Sequence, residues 1–240
     1  MAIRNQLLRL VPATDGEDLK KHLQPVTLAA GEILYEPDYP VEWVYFPTTA
    51  VLSVVTVMMD GRTVECDTVG YESVVGALAA MGSTVAVSRT FVQIAGDALR
   101  ISAARLRQRA DGSPELRRLL IRHACANLAQ AHQSAACNAL HELEQRLCRW
   151  LLMSQDRTDG AVVRLTQQYL ATMLGVQRTT VTHALRDLAE KRLIRRGRGF
   201  VEIIDRERLE ALTCECYEAL QDNLQRVIGH QPSRSESEPA

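Results

Sequence analysis

The chain has no apolar run of the roughly 18 residues that a membrane-spanning helix needs. Its first residues, Met1-Ala2-Ile3-Arg4-Asn5, carry no apolar signal core, so the expected compartment is the cytoplasm. It has no C-x-x-C pair. Cys66, Cys125, Cys137, Cys148, Cys214 and Cys216 are scattered, which argues against a disulfide framework and for buried free thiols. A P-loop, a G-x-G-x-x-G and a G-x-S-x-G are all missing. Without them Glu65, Asp67 and Glu72 read as strand-face or turn residues, and neither a catalytic residue nor an enzyme is expected. His123, His132 and His141 are nine residues apart. That spacing keeps them from converging on one ion, so they read as helix-surface residues and no metal ligand is assigned. Nor is there a net excess of positive charge: the formal charge is -1.

Its distribution is uneven. From Val162 to Ile204 there are eight Arg and Lys against three Asp and Glu, while from Met1 to Gly112 there are ten against thirteen. A basic rear and a weakly acidic front point to a polyanion met by the rear alone. The length of 240 residues favours two domains, and 46% hydrophobic residues suffice for real cores.

Val26–Leu28, Glu32–Tyr35, Val41–Phe46, Val51–Met58, Thr63–Val69, Thr90–Ile94 and Ala98–Ile101 are rich in β-branched and aromatic residues. Turn signals such as Pro37-Asp38 and Asp60-Gly61 separate them, the second marking a hairpin. Many short strands at close spacing predict a small barrel over 1–112.

The texture changes at Ser113-Pro114-Glu115, a helix start: a capping Ser, a Pro suited to the first helical position and an acid at the positive end. No glycine or proline follows up to Ser154. This predicts one long helix over 113–156, spanning two domains and offering a partner surface. A heptad reading places Leu120, Ala124, Asn127, Ala131 and Ser134 on a small, polar seam for a second copy. A further helix is expected from Arg206 to Val227, and the polar tail 229–240 reads as disordered.

Between these lies the region with the strongest signal. A helix-turn-helix needs a small residue where its helices touch, a glycine in the tight turn and a branched residue beneath the second helix. Ala171, Gly175 and Val181 stand at those places, with Thr166 as N-cap of the first helix. The second helix, 177–190, presents Gln177, Arg178, Thr179, Thr180, Thr182, His183 and Arg186 as candidates for base edges and phosphates. Arg196 and Arg198, beside Gly197 and Gly199, sit at the tip of a strand–turn–strand that would reach phosphate as a wing.

On these residues the chain resembles the Crp/Fnr family of bacterial regulators. Gly31-Glu32-Ile33-Leu34-Tyr35-Glu36-Pro37 is similar to the family's early barrel turn, and Val44-Tyr45-Phe46-Pro47 to its next strand. Leu143-Glu144-Gln145-Arg146-Leu147-Cys148-Arg149-Trp150-Leu151-Leu152 resembles the end of its dimerisation helix, and Leu165 to Ile204 its DNA-binding head. The resemblance implies an α+β fold: an N-terminal antiparallel jelly-roll barrel of the cyclic-nucleotide-binding type, a dimerisation helix, and a winged helix-turn-helix over 157–228. It also implies a homodimer on double-stranded DNA with an inverted repeat, and RNA polymerase as a further partner.

Gly76, Ala77, Leu78, Ser88, Arg89 and His132 become the candidate effector pocket. Members that bind cyclic AMP carry Gly-Glu-Leu and then Arg-Ser. Here Ala77 replaces the carboxylate and Ser88-Arg89 reverses the order, which argues against cyclic AMP and leaves another nucleotide, another small ligand or none. The first cysteine is Cys66, so the N-terminal cluster of the oxygen-sensing branch, and its iron–sulfur cofactor, are not expected. Thr179 and His183 stand where many members have Glu and Arg; only Arg178 matches the family's base-reading residue. The alternative is a signalling module whose barrel and helical head bind protein partners.

Overall fold

The computed structural model describes residues 4–228, so the expected tail over 229–240 lies outside the described residues. The alternating stretches form β1 (Gln24–Leu28), β2 (Ile33–Tyr35), β3 (Trp43–Pro47), β4 (Val51–Val57), β5 (Thr63–Val69), β6 (Arg89–Ile94) and β7 (Gly96–Ser102). They pair into two antiparallel sheets, β1-β7-β3 and β2-β6-β4-β5. Period-2 alternation places Leu28, Tyr45, Leu52, Val69, Val92 and Ala98 in the core between them. The hairpin β4–β5 turns at Asp60-Gly61, as the sequence implies.

Helical elements that strand patterning does not foretell cover one end: α1 (Gln6–Arg9), α2 (Ala13–Lys20), a 3-10 turn at Ala77–Met81, and α3 (Ala103–Asp111). Their ends are set by side chains. Asn5, fully buried, accepts the Leu8 N–H at 3.0 Å and donates to the carbonyls of Pro47 and Ser73 at 3.0 and 2.8 Å. Ser102 accepts the Arg105 N–H at 3.3 Å. These elements bury Leu7, Leu19 and Leu106 with Leu116 and Leu120 of the following helix.

That helix is not continuous to Asp156. Two helices stand in its place, α4 (Pro114–Leu140) and α5 (Leu143–Asp156). Ser113 caps α4, while His141 is extended (φ -107°, ψ 146°) and Glu142 and Gln145 form a reciprocal capping box that starts α5. A capping box ends one helix and begins another with neither glycine nor proline, so the expectation of one helix over 113–156 fails there. Burial changes with it: Leu147, Trp150, Leu151 and Leu152 of α5 join the core of the following domain.

That domain comprises β8 (Val162–Arg164), α6 (Gln167–Leu174), α7 (Arg178–Glu190), β9 (Ile194–Gly197) and β10 (Phe200–Ile203), with strand order β8-β10-β9. The expected helix from Arg206 to Val227 is also interrupted, into α8 (Arg206–Glu210) and α9 (Cys216–Ile228). Cys214 and Cys216 in or next to the break are buried against Cys137 of α4, which a straight helix would not permit.

Three further expectations are corrected. His123 is buried, its Nε2 2.6 Å from Ser73 Oγ, and is no surface histidine. Burial as a general rule for the thiols does not hold either: Cys125 is exposed and Cys66 half-buried. Two residues of the expected seam on α4, Leu120 and Ser134, are buried within the chain itself, while Ala124, Asn127 and Ala131 are half-buried. Residues one position later, Ile121, Cys125, Leu128, His132 and Ala135, are exposed and keep the alternating four–three spacing. One residue turns a helix by about 100°, so these residues look in a different direction from Leu120 and Ser134.

The two domains meet through buried polar contacts. Arg157 donates to Glu72 Oε1 at 2.7 Å and to the Met153 carbonyl at 2.8 Å, and the same Glu72 oxygen accepts the Gly70 N–H at 3.0 Å. Glu65 accepts from Ser53 and from the indole of Trp150, while Ser53 Oγ lies 2.6 Å from the Tyr169 hydroxyl. Breaking a buried pair strands the survivor's charge. Arg157→Met should therefore lower stability by about 3–5 kcal/mol, whereas adding Glu72→Gln should recover part of the loss; urea unfolding of both variants measures this.

Candidate nucleic-acid interface and effector cavity

The helix-turn-helix is built as its residue types require. Thr166 caps α6 by accepting the Tyr169 N–H at 3.1 Å. Gly175 ends it at φ +67° and ψ 32°, a left-handed conformation that costs a side-chain-bearing residue about 1–2 kcal/mol. Ala171 is buried at the helix crossing and Val181 beneath α7, with Leu170, Leu174 and Leu185 around them. Val176 and Ala184 pack at the edge of the same core.

With these faces buried, the opposite face of α7 is free. Gln177, Arg178, Thr179, Thr180, His183 and Arg186 are exposed, and Thr182 is half-buried. Thr182 differs because its hydroxyl donates to Gln167 Oε1 at 2.8 Å and to the Arg178 carbonyl at 2.9 Å, tying α7 to α6. Arg186 lies 3.6 Å from both Asp187 and Glu190. Beside this face the β9–β10 hairpin carries Arg195, Arg196 and Arg198, all exposed. Arg195 pairs with Glu202 across the hairpin. Among the described residues no ion pair engages Arg178, Arg196 or Arg198. Three unneutralised guanidiniums on one surface, next to hydroxyl and amide groups, suit a phosphate backbone and base edges.

A cavity of about 580 Å³ lies between the β2-β6-β4-β5 sheet, the segment around the Ala77–Met81 turn and α4. Of the expected pocket residues, Gly76, Ala77, Leu78 and Ser88 line it. Arg89 and His132 do not: Arg89 pairs with Glu36 at 2.9 Å, and His132 is on the exposed face of α4. Gly76 is fixed by the fold, since a Cβ there would come within 2.4 Å of the Tyr35 hydroxyl. The walls are mostly apolar, and neither Arg nor Lys is among them.

Two groups in the cavity, Asp67 and His123, are shifted toward neutrality. Burial pushes the Asp67 carboxyl up to about 8 against the attraction of Arg157, and the Gln130 amide donates to it. Burial also holds His123 down at about 4, so its ring is neutral near pH 7. The sequence reading passes over Tyr35, Asp67, His123 and Asn127 of this lining. Nothing in their local pattern separates them from core residues.

It passes over a second group as well. Cys137, His141, Cys214 and Cys216 come together where α4 meets the α8–α9 link. Desolvation raises the thiols of Cys137 and Cys216 above their ordinary range. The available signal is weak: one i, i+4 Cys–His pair at a helix end and one C-x-C.

Comparison with known proteins agrees with this architecture. The family profile described as "Crp-like helix-turn-helix domain" matches residues 145–212. A CRP-like cAMP-activated global transcriptional regulator of Mycobacterium tuberculosis is 26% identical over 200 residues, 80% of this chain and 88% of that protein. The transcriptional regulator SdrP of Thermus thermophilus is 30% identical over 105 residues, 41% of this chain and 52% of that one. Among solved structures, FixK2 from Bradyrhizobium japonicum superposes with a TM-score of 0.70 at 19% identity, covering 80% of this chain and 98% of that chain. No helix among the described residues is long and apolar enough to cross a membrane. Residues 145–212 therefore form a Crp-like helix-turn-helix domain, and the chain is similar over most of its length to DNA-binding transcription regulators of the Crp/Fnr type.

Proposed function

We propose that two copies of this chain pair through α4 and place both α7 helices in successive major grooves of an inverted repeat, within the cytoplasm. The observation that carries this is the single surface formed by α7 and the hairpin, with Arg178, Arg196 and Arg198 free of internal partners. In this reading Arg178, at the start of α7, takes a guanine, and Gln177, Thr179, Thr180, His183 and Arg186 flank it. Arg196 and Arg198 hold phosphate, while Thr166 and Thr182 position the two helices. RNA polymerase would be met by the DNA-bound dimer.

The dimer surface in this proposal is the exposed stripe Ile121, Cys125, Leu128, His132 and Ala135. Ala124, Asn127 and Ala131 flank it, and Ile121, Cys125 and Leu128 line the cavity together with them. Ile121 is 44% and Leu128 56% exposed in the single chain, an apolar pair that a second copy would cover. Leu128→Glu should shift the mass seen by light scattering toward that of one chain, 26.7 kDa, and weaken operator binding with it. An unchanged dimer would place the contact elsewhere.

The relative from Mycobacterium tuberculosis is cAMP-activated by name, but the cavity here does not fit a cyclic phosphate. No guanidinium or ammonium lines it, Ala77 supplies no carboxylate for a ribose hydroxyl, and its imidazole is neutral. We infer a small, uncharged and largely apolar effector, held by a few polar groups such as Asn127 and protonated Asp67. Calorimetry with cyclic AMP should show no binding at micromolar concentration; a micromolar or tighter dissociation constant would overturn this inference.

DNA reading is tested by separating its two kinds of contact. Losing a bidentate Arg–guanine pair should make Arg178→Ala cost about 1–3 kcal/mol on a selected site and relax preference at one base pair. Arg198→Ala should weaken binding to all sequences alike and lower the salt slope by about one unit. Salt titrations of both variants on the selected site and a scrambled one are the measurement. Equal losses for Arg178→Ala on the two DNAs, with a site-specific loss for Arg198→Ala, would reverse the assignment.

A further inference from the structure

The Cys137, His141, Cys214 and Cys216 cluster has the dimensions of a metal site. Its four ligand atoms all lie within 4.8 Å of one another, and all three cysteines are free. The sulfurs of Cys137 and Cys214 are 3.6 Å apart, and Cys216 Sγ is 3.5 Å from His141 Nδ1. A tetrahedral ion with bonds of about 2.3 Å to sulfur and about 2.0–2.1 Å to nitrogen has edges of about 3.8 Å between sulfurs and about 3.6 Å from sulfur to nitrogen. Both observed distances fall near those edges.

The surroundings point the same way. His141 Nε2 lies 3.2 Å from Glu215 Oε1, which leaves Nδ1 as the ligand atom and orients the ring as a carboxylate–histidine–metal relay would. Gln133 Nε2 donates to Cys216 Sγ at 3.0 Å, a contact that suits a thiolate. An independent observation concerns charge. Arg146 and Arg149 are buried nearby, their Nε atoms lack hydrogen-bond partners, and neither makes an ion pair among the described residues. Both lie close enough to Cys137 for their charges to act on its sulfur. Buried cations require a counter-charge. Three thiolates on a divalent ion carry a net charge of -1 and would supply it.

We propose that Cys137, His141, Cys214 and Cys216 form a closed Cys3His site for a tetrahedral divalent metal ion of the zinc class. Three sulfurs and an imidazole disfavour calcium and magnesium, which take oxygen ligands. All four positions are filled by protein, so the site is structural and not catalytic. The ion joins the end of α4 to the α8–α9 link and closes a loop that contains the whole DNA-binding head. It does so at His141, where α4 gives way to α5. The site does not depend on the DNA or effector readings.

The test uses the full chain, reduced, stripped with a chelator and titrated with zinc and, separately, with cobalt(II). The expected result is one ion per chain, the strong visible absorption of tetrahedral cobalt–thiolate coordination, and a higher Tm with zinc. Cys216→Ser and Cys137→Ser should weaken metal affinity by at least about tenfold, whereas Cys125→Ser, on the exposed face of α4, should bind as the parent does. The titration of the parent chain stands even if a variant fails to fold. No uptake by the parent with its thiols shown reduced by mass spectrometry, a weak six-coordinate cobalt spectrum, or uptake indifferent to Cys216→Ser in a folded variant would each overturn the proposal.

Discussion

The head can pack on the barrel only because the chain turns at His141–Glu142. A helix continuing along the axis of α4 would carry Trp150 and Arg157 away from the barrel, leaving Glu65 without its indole donor and Glu72 without its guanidinium partner. The capping box at Glu142 and Gln145 offsets part of the cost of reorienting α5, because each side chain satisfies a backbone N–H that a helix start leaves open. Everything beyond that turn inherits its direction.

The contact so formed is polar at its centre and apolar around it. Val55 of β4 shares one apolar cluster with Trp150, Leu170 and Val181, so barrel and head have a common core. Within it Glu72–Arg157, Glu65–Trp150 and Ser53–Tyr169 fix the register, because sliding one domain would leave several buried groups unpaired at once. A second polar knot backs it. Asp156 accepts from Arg206 at 2.7 Å and from Tyr217 and Gln221, each at 2.8 Å, holding α8 and α9 to the end of α5.

How much of this the sequence discloses depends on the range of the interaction. Period-2 alternation and Asp60-Gly61 are local, and the strand stretches from Val26 to Ile101 coincide with β1–β7 to within a few residues. Ala171, Gly175 and Val181 are local as well, being three requirements of one turn. The break at His141 is local too, but it carries neither of the usual stops, glycine and proline, and rests on the side chains of Glu142 and Gln145 alone. The burial of Leu120 in the α4 seam escapes the sequence for a different reason. Leu120 and Ile121 are both apolar, and which one faces inward is decided by Leu7, Leu19 and Leu106 from elements far away in sequence. The Cys/His cluster spans 137 to 216, and no spacing rule joins its halves before α9 is known to lie on α4.

The same helix has two roles along one broad face. His123, Ala124 and Asn127 are a wall of the cavity, and so are Ile121, Cys125 and Leu128 of the proposed dimer stripe. Its C-terminal end is the turn on which the head's orientation rests. A molecule filling the cavity would press directly on residues of that stripe, and a stiff helix passes a displacement on to its end. The free energy such a ligand could deliver is bounded by its differential contact with the helix in two positions. A neutral, apolar cavity makes that contact one of packing. Unpaired positive charge lies instead on the head, on Arg178, Arg196 and Arg198, where in the proposed reading DNA would supply the counter-charge. In that reading sensing and DNA reading draw on different forces, and α4 with the turn at His141 would couple them alongside the direct contacts of Ser53, Glu65 and Glu72 with the head.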